Sequence, residues 1–90
     1  MKLYKFYADW CQPCKVQTKL LEDLKEKIEI LSINIEEESS SELCELYGVK
    51  SLPTLVLTDE FGDIIKIWHG VTHPKEISEA IDKLENVDTE

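Results

Sequence analysis

Trp10-Cys11-Gln12-Pro13-Cys14-Lys15 stands between a short apolar run and a long helical pattern. Two residues between the cysteines, on the first turn of a helix, bring the second sulfur within reach of the first. The first thiol then sits where unpaired backbone N–H groups and the positive end of the helix dipole favour an anion. A free cysteine thiol has a pKa of ~8.5, and such a setting lowers it to ~7 or below. Cys11 is therefore the expected attacking nucleophile and Cys14 the resolving thiol of a disulfide exchange. Pro13 suits this place, because its fixed φ matches the first helical turn and its missing N–H costs little there.

Working outward, the segment before the pair holds Leu3, Tyr4, Phe6 and Tyr7, interrupted by Lys5. Such a run reads as a strand buried on both faces. After the pair, Val16, Leu20, Leu21, Leu24 and Ile28 recur at helical spacing with no Gly or Pro among them. They predict one helix from Cys14 to about Lys27 with an apolar core-facing stripe. Ile30, Leu31, Ile33 and Ile35 form the second strand. Strand, helix and strand imply a right-handed parallel crossover, with both strand ends at the edge that carries the cysteines.

Glu36-Glu37-Glu38-Ser39-Ser40-Ser41 reads as a solvated loop, since its carboxylates lack the interleaved spacing of a calcium loop. Ser39 and Glu42 have the spacing of a capping box that opens a short helix, which Gly48 ends. Leu43, Leu46 and Tyr47 are expected to face the core, and Cys44 reads as a small buried hydrophobe, with a regulatory or dimer-forming thiol as the alternative. Leu55 to Thr58 is the third strand. Pro53 at its start lacks only a sheet-edge donor; alternatively, a cis Leu52–Pro53 bond would hold a backbone edge beside the sulfurs. Asp59 to Asp63 connects a hairpin to the fourth strand, Ile64 to Trp68. Pro74 starts the last helix, where Ile77, Ala80, Ile81 and Leu84 share one face. Residues 86–90 read as a frayed tail. His69 and His73 lie on a loop without a third ligand and read as surface polar residues.

Ninety residues with 42% apolar content make one domain, residues 1–90, with a single modest core. A net charge of −9 argues against nucleic-acid and anionic-membrane partners. Three cysteines do not make a secreted disulfide framework, and a reducing cytoplasm is the expected location. No basic segment leads into an apolar stretch, which reads as no signal peptide, and no run approaches the ~18 residues of a membrane span. A single cysteine pair supplies two of the four ligands of a zinc or iron–sulfur site, so no metal is expected.

The chain resembles thioredoxin. The resemblance rests on Trp10-Cys11-Gln12-Pro13-Cys14-Lys15, on Tyr47-Gly48-Val49-Lys50-Ser51-Leu52-Pro53-Thr54-Leu55, and on Gly62 and Gly70, and it covers essentially all of the sequence. It implies an α/β thioredoxin-like fold: a four-stranded mixed sheet in the order 2-1-3-4 with three helices, β-α-β-α-β-β-α. It further implies a thiol–disulfide oxidoreductase that reduces disulfides of target proteins. The cysteines exchange the disulfide, while Trp10, Gln12, Pro13, Leu52, Pro53 and Gly70 form the target-binding groove. No bound cofactor is expected. Electrons would come from a thioredoxin-reductase-like flavoprotein using NADPH. Targets such as ribonucleotide reductase follow from the same resemblance, as does a monomeric state.

Four departures stand out. Met1 lies where the family's central strand begins, so the expectation is the minimal four-stranded core shared with glutaredoxin. Gln12 replaces the usual Gly between the cysteines. Lys5 replaces a buried aspartate that helps the second cysteine release its proton, and Ser32 replaces that aspartate's usual lysine partner; Lys5 is thus a candidate for tuning a nearby thiolate. Lys19 replaces a kinking proline, which predicts a straighter helix. A glutathione-linked, glutaredoxin-like reductase and a non-catalytic interaction module are the alternative readings. Ser51-Leu52-Pro53 and His69-Gly70-Val71 depart from the Thr-Val-Pro and Gly-Gly patterns of glutathione recognition, and intact cysteines disfavour the module.

Overall fold

The computed structural model describes residues 1–87. Its elements are β1 (Lys2–Tyr7), α1 (Gln12–Leu20), β2 (Glu29–Asn34), α2 (Ser41–Leu46), β3 (Thr54–Thr58), β4 (Ile64–His69) and α3 (Pro74–Val87), with 3₁₀ turns at Glu22–Leu24 and Glu38–Ser40. The strands form one sheet in the order β2-β1-β3-β4. β1 pairs parallel with β2, with Tyr7 opposite Asn34, and antiparallel with β3, with Phe6 opposite Thr54. β3 pairs antiparallel with β4. The expected four-stranded mixed sheet and its order are therefore those of the structure.

Strand alternation divides the interior in two. Leu3, Leu55, Leu57 and Trp68 join Leu21, Leu24, Ile28, Ile77 and Ile81 in the larger core, between the sheet and the α1 and α3 layers. Phe6 and Val56 point the other way and pack with Tyr47, which follows α2. All five residues of β3 are buried, as a central strand covered on both faces requires. Tyr47 lies against Tyr4 and Phe6, with ring centroids 5.6 and 6.1 Å away.

The single helix expected from Cys14 to about Lys27 is interrupted. α1 ends at Leu20, and the chain tightens into the 3₁₀ turn at Glu22–Leu24. Packing outweighs helix propensity here: Leu21, Leu24 and Ile28 all reach one core through the tightened path. Val16, assigned to the buried stripe, is 51% exposed. The buried position on that turn is Gln17.

The Ser39–Glu42 capping box does not form. Ser40 is the N-cap of α2 and makes no side-chain capping bond. Its hydroxyl donates instead toward the carbonyls of Asn34 and Glu37, at 2.8 and 2.7 Å, which ties the loop back to the end of β2. Leu46 faces outward at 68% exposure, contrary to its expected core position. Gly48 does end the helix, at φ +62°. Its N–H donates to Glu45 and that of Val49 to Cys44, the paired closure that favours glycine after a helix. Pro74 opens α3, and His73 caps it by accepting the Lys75 N–H on Nδ1 at 3.1 Å. α3 reaches Val87, two residues into the segment expected to fray; residues 88–90 lie outside the described residues. Among the described residues no helix is long and apolar enough to cross a membrane.

The split core makes a stability prediction. Leu55 is fully buried, whereas Phe61 at the hairpin tip is 88% exposed. Leu55→Ala should cost about 2–5 kcal/mol, and Phe61→Ala should stay within about 0.5 kcal/mol of the parent. Urea unfolding monitored by circular dichroism measures both.

Candidate functional site

The strand directions bring the C-terminal ends of β1, β2 and β4 and the N-terminal end of β3 to one edge of the sheet. Everything chemically distinctive leaves from that edge. Cys11 is the N-cap of α1 and is joined to Cys14 in a disulfide, with 5.3 Å between the Cα atoms. Cys11 has extended backbone angles, and its Sγ accepts the Cys14 N–H at 3.2 Å. Its own N–H donates to the Ala8 carbonyl at 3.1 Å, which closes the turn out of β1. Pro13 lies in the first helical turn, as its geometry favours.

The two sulfurs belong to residues with different surroundings. Cys11 lines a groove of about 810 Å³ together with Trp10, Gln12, Pro13, Val49 and Leu52. Cys14 does not line that groove; it borders a smaller cavity of about 300 Å³ shared with Lys5, Asp9, Lys15 and Thr18. Both cysteines are buried, at 4% and 2% exposure, against Ala8, Ile35 and Leu52. Trp10 stands out from this surface at 65% exposure.

Of the groove residues expected from the sequence, Trp10, Gln12, Pro13 and Leu52 meet Cys11. Pro53 and Gly70 lie beside them and bond to one another: the Leu52–Pro53 peptide is cis, and the Gly70 N–H donates to the Pro53 carbonyl at 2.8 Å. Gly70 has φ +83°, a conformation that a side chain would strain. Cys44 is a half-buried free thiol that also lines the groove, not a fully buried core residue. Among the described residues no three His, Cys, Asp or Glu side chains gather as a metal site.

Lys5 is buried on β1, opposite Ser32 of β2. Its Nζ donates to Thr18 Oγ1 at 2.6 Å, and that hydroxyl donates to the Cys14 carbonyl at 3.0 Å. The ammonium also lies 5.2 Å from the centre of the Tyr7 ring. Lys5 is in neither of the two ion pairs among the described residues. Burial, and then the charge of Lys25, hold its pKa below the ordinary lysine value of 10.5, with Glu22 opposing them. Across the sheet, burial and the neighbouring Tyr4 push the Tyr47 phenol up.

Gln17 was not anticipated. It is fully buried, and its amide makes two bonds to one residue of the loop between β4 and α3. Nε2 donates to the Thr72 carbonyl at 3.0 Å, and Oε1 accepts the Thr72 N–H at 2.7 Å. The available signal was phase: Gln17 fills the place between Cys14 and Leu21 in a buried series that continues through Leu24 and Ile28.

Fold and site together define a thioredoxin-fold domain built around a dithiol–disulfide pair. A family model described as Thioredoxin matches residues 1–83. The chain belongs to the thioredoxin family. The thioredoxin of Rickettsia bellii (strain RML369-C) is 39% identical over 59 residues, which cover 61% of this chain and 54% of that protein. The match thus spans about half the length of that relative. The thioredoxin of Bacillus subtilis (strain 168) is 32% identical over 85 residues, covering 90% of this chain and 79% of its own. Among solved structures, a mutant thioredoxin from Halobacterium salinarum NRC-1 superposes with a TM-score of 0.80 at 31% identity, over 91% of this chain and 72% of that one. Thioredoxin 1 of Thermosipho africanus TCF52B shares the fold over the whole of both chains, with a TM-score of 0.82 at 22% identity.

The buried Lys5 predicts a pH-dependent stability. Its folded-state pKa is lowered, so below that value both folded and unfolded chains hold the proton and the burial cost is fully present. As pH rises toward 10.5 the folded chain loses the proton first, and the cost is relieved. Lys5→Met should therefore be more stable than the parent at pH 7, with a gain that shrinks as pH approaches 10.5. Chemical denaturation at a series of pH values tests this; a gain that stays constant would mean that the buried charge is not its source.

Proposed function

We propose that this chain is a protein-disulfide reductase that cycles the Cys11–Cys14 pair between dithiol and disulfide. The observation that carries this reading is the asymmetry of the pair: Cys11 borders the apolar groove, and Cys14 borders the cavity behind it. In the reduced chain, the helix N-terminus favours the Cys11 thiolate, with the Cys14 N–H aimed at its sulfur. The thiolate attacks one sulfur of a target disulfide. A mixed disulfide forms, and the other target sulfur leaves as a thiolate. Cys14, deprotonated, then attacks Cys11 Sγ. The Cys11–target bond breaks and the Cys11–Cys14 bond forms. The target has gained two electrons and leaves as a dithiol after taking up its protons.

Trp10, Gln12, Pro13 and Leu52, with Pro53 and Gly70 beside them, hold the target segment against Cys11. Lys5 tunes the second step: a positive charge behind Cys14 favours its thiolate. The disulfide is itself the redox group, so the reading includes no bound cofactor. The reading also includes electron supply from a flavoprotein reductase that uses NADPH, a monomeric chain in the cytoplasm, and targets with catalytic disulfides, of which ribonucleotide reductase is an example. Nucleic acids and membranes have no part in it.

Three measurements test the reading. Cys11→Ser should lower insulin-disulfide reduction to background, while Cys14→Ser should accumulate a covalent mixed disulfide visible by mass spectrometry; reduction that persists in Cys11→Ser overturns the assignment. A reduction potential near ~−270 mV marks a reductant, and one near ~−180 mV an isomerase or oxidant. Lys5→Met should make the potential more negative, because the ammonium stabilises the reduced, thiolate-bearing state. An unchanged potential removes Lys5 from the reaction.

A further inference from the structure

The loop between β4 and α3 is pinned at both ends. The Gly70 N–H donates to the Pro53 carbonyl at 2.8 Å. Two residues later, both backbone groups of Thr72 are taken up by the side-chain amide of Gln17. The Thr72 hydroxyl donates back to the Gly70 carbonyl at 3.1 Å, which closes the loop on itself. Gln17 lies one helical turn beyond Cys14, on the same buried face of α1. The clamp therefore joins the cis-proline loop, the glycine loop and the helix that carries both thiols.

An apolar side chain at position 17 would fill the space, but it would leave a buried N–H and C=O of Thr72 without these partners. The amide satisfies both with a single group, and a two-point bond sets orientation as well as distance. Between the pinned residues, Val71 is left 47% exposed, an apolar side chain on an immobilised three-residue loop. A loop held in its binding conformation loses little entropy when a target docks.

The geometry points to Gln17 as a positioning residue that sets the affinity for protein disulfides by holding the Gly70–Thr72 loop against α1. The inference rests on the reductase reading, because it names what shapes the groove of that same site. Both side-chain hydrogen bonds of the Gln17 amide go to Thr72 and neither goes to a thiol. Its loss should act on target binding and leave the redox chemistry of the pair alone.

Gln17→Leu should raise KM for insulin roughly tenfold, equivalent to about 1.4 kcal/mol of binding lost to a loosened loop, with kcat within about twofold of the parent. Reduction of the small aromatic disulfide DTNB, which is too small to span the groove and the loop, should proceed at the parental rate. The potential of the pair should stay as in the parent. Gln17→Glu supplies the conservative variant. Its carboxyl, when protonated, can donate to the Thr72 carbonyl and accept the Thr72 N–H; when ionised, it cannot donate. Its KM should lie near the parental value at acidic pH and rise as the introduced carboxyl ionises. The parent measured at the same pH values controls for every other titrating group, including His69 and His73 at the loop. This variant also keeps the test open if Gln17→Leu does not fold. An unchanged KM in both variants, or an equal loss with insulin and DTNB, overturns the positioning role. A parent chain that reduces neither disulfide overturns the reductase reading instead.

Discussion

β1 is hydrogen-bonded along both of its edges, parallel to β2 and antiparallel to β3. The rest of the site depends on that pairing. A strand bonded on both sides has its register set twice, and a slip of one residue would turn Leu3 and Phe6 into each other's cores. The end of β1 is consequently held firmly, and Ala8 to Cys11 leaves it from a fixed point. The same pairing brings Asn34, Thr54 and, through β3, His69 to one edge of the sheet. The cysteine turn, the Pro53 turn and the Gly70 turn meet there as a consequence of strand direction. A reactive pair on a short loop would otherwise lack a rigid support for the atoms it must align.

The structure resolves a tension in the pair itself. A thiolate needs donors and a positive potential, and an exchange partner needs access. Cys11 obtains the first from the opening of α1, where its own sulfur takes a backbone N–H that the helix cannot satisfy. It obtains the second from the groove, although the residue as a whole is buried. Cys14 lines the smaller cavity and not the groove, one helical turn from the first thiol.

Much of this was legible in the sequence. Apolar periodicity marks the strands and α3, because burial on two faces or on one helical stripe leaves a direct trace in residue order. The cysteine spacing marks the site, because disulfide geometry allows few separations on a helix. What periodicity could not show is where tertiary contacts override local preference. α1 breaks at Leu20 without Gly or Pro, since the requirement is to bring Leu21, Leu24 and Ile28 into one core. Ser39 and Glu42 have the spacing of a cap, yet Ser40 is drawn to Asn34 and Glu37 across the loop. Gln17 is polar and so falls outside any series of apolar residues, and its partner is 55 residues away. Long-range pairing of a side chain with backbone leaves no local pattern.

The polar groups of the interior are unevenly distributed, and their placement has a physical logic. Lys5, Gln17, Thr54 and Thr72 are buried, as are Ser40, bonded to Asn34 and Glu37, and Thr58 at the far end of β3. Lys5 is linked through Thr18 to the Cys14 carbonyl, Gln17 holds the Thr72 backbone, and the Thr54 hydroxyl donates to the Ser51 carbonyl at 2.6 Å beside the Pro53 turn. Lys5, Gln17 and Thr54 each therefore act on the cysteine helix or on one of the two loops next to it. Apolar residues would avoid the desolvation cost of these groups, but at position 17 they would leave the Thr72 N–H and C=O without these partners. They could not fix the orientation of a backbone turn, because dispersion contacts are non-directional and hydrogen bonds are not. The larger core, from Leu3 to Ile81, supplies cohesion with hydrophobic side chains. The edge near the thiols uses directional bonds instead, where the position of a loop relative to a sulfur matters more than the strength with which it is held.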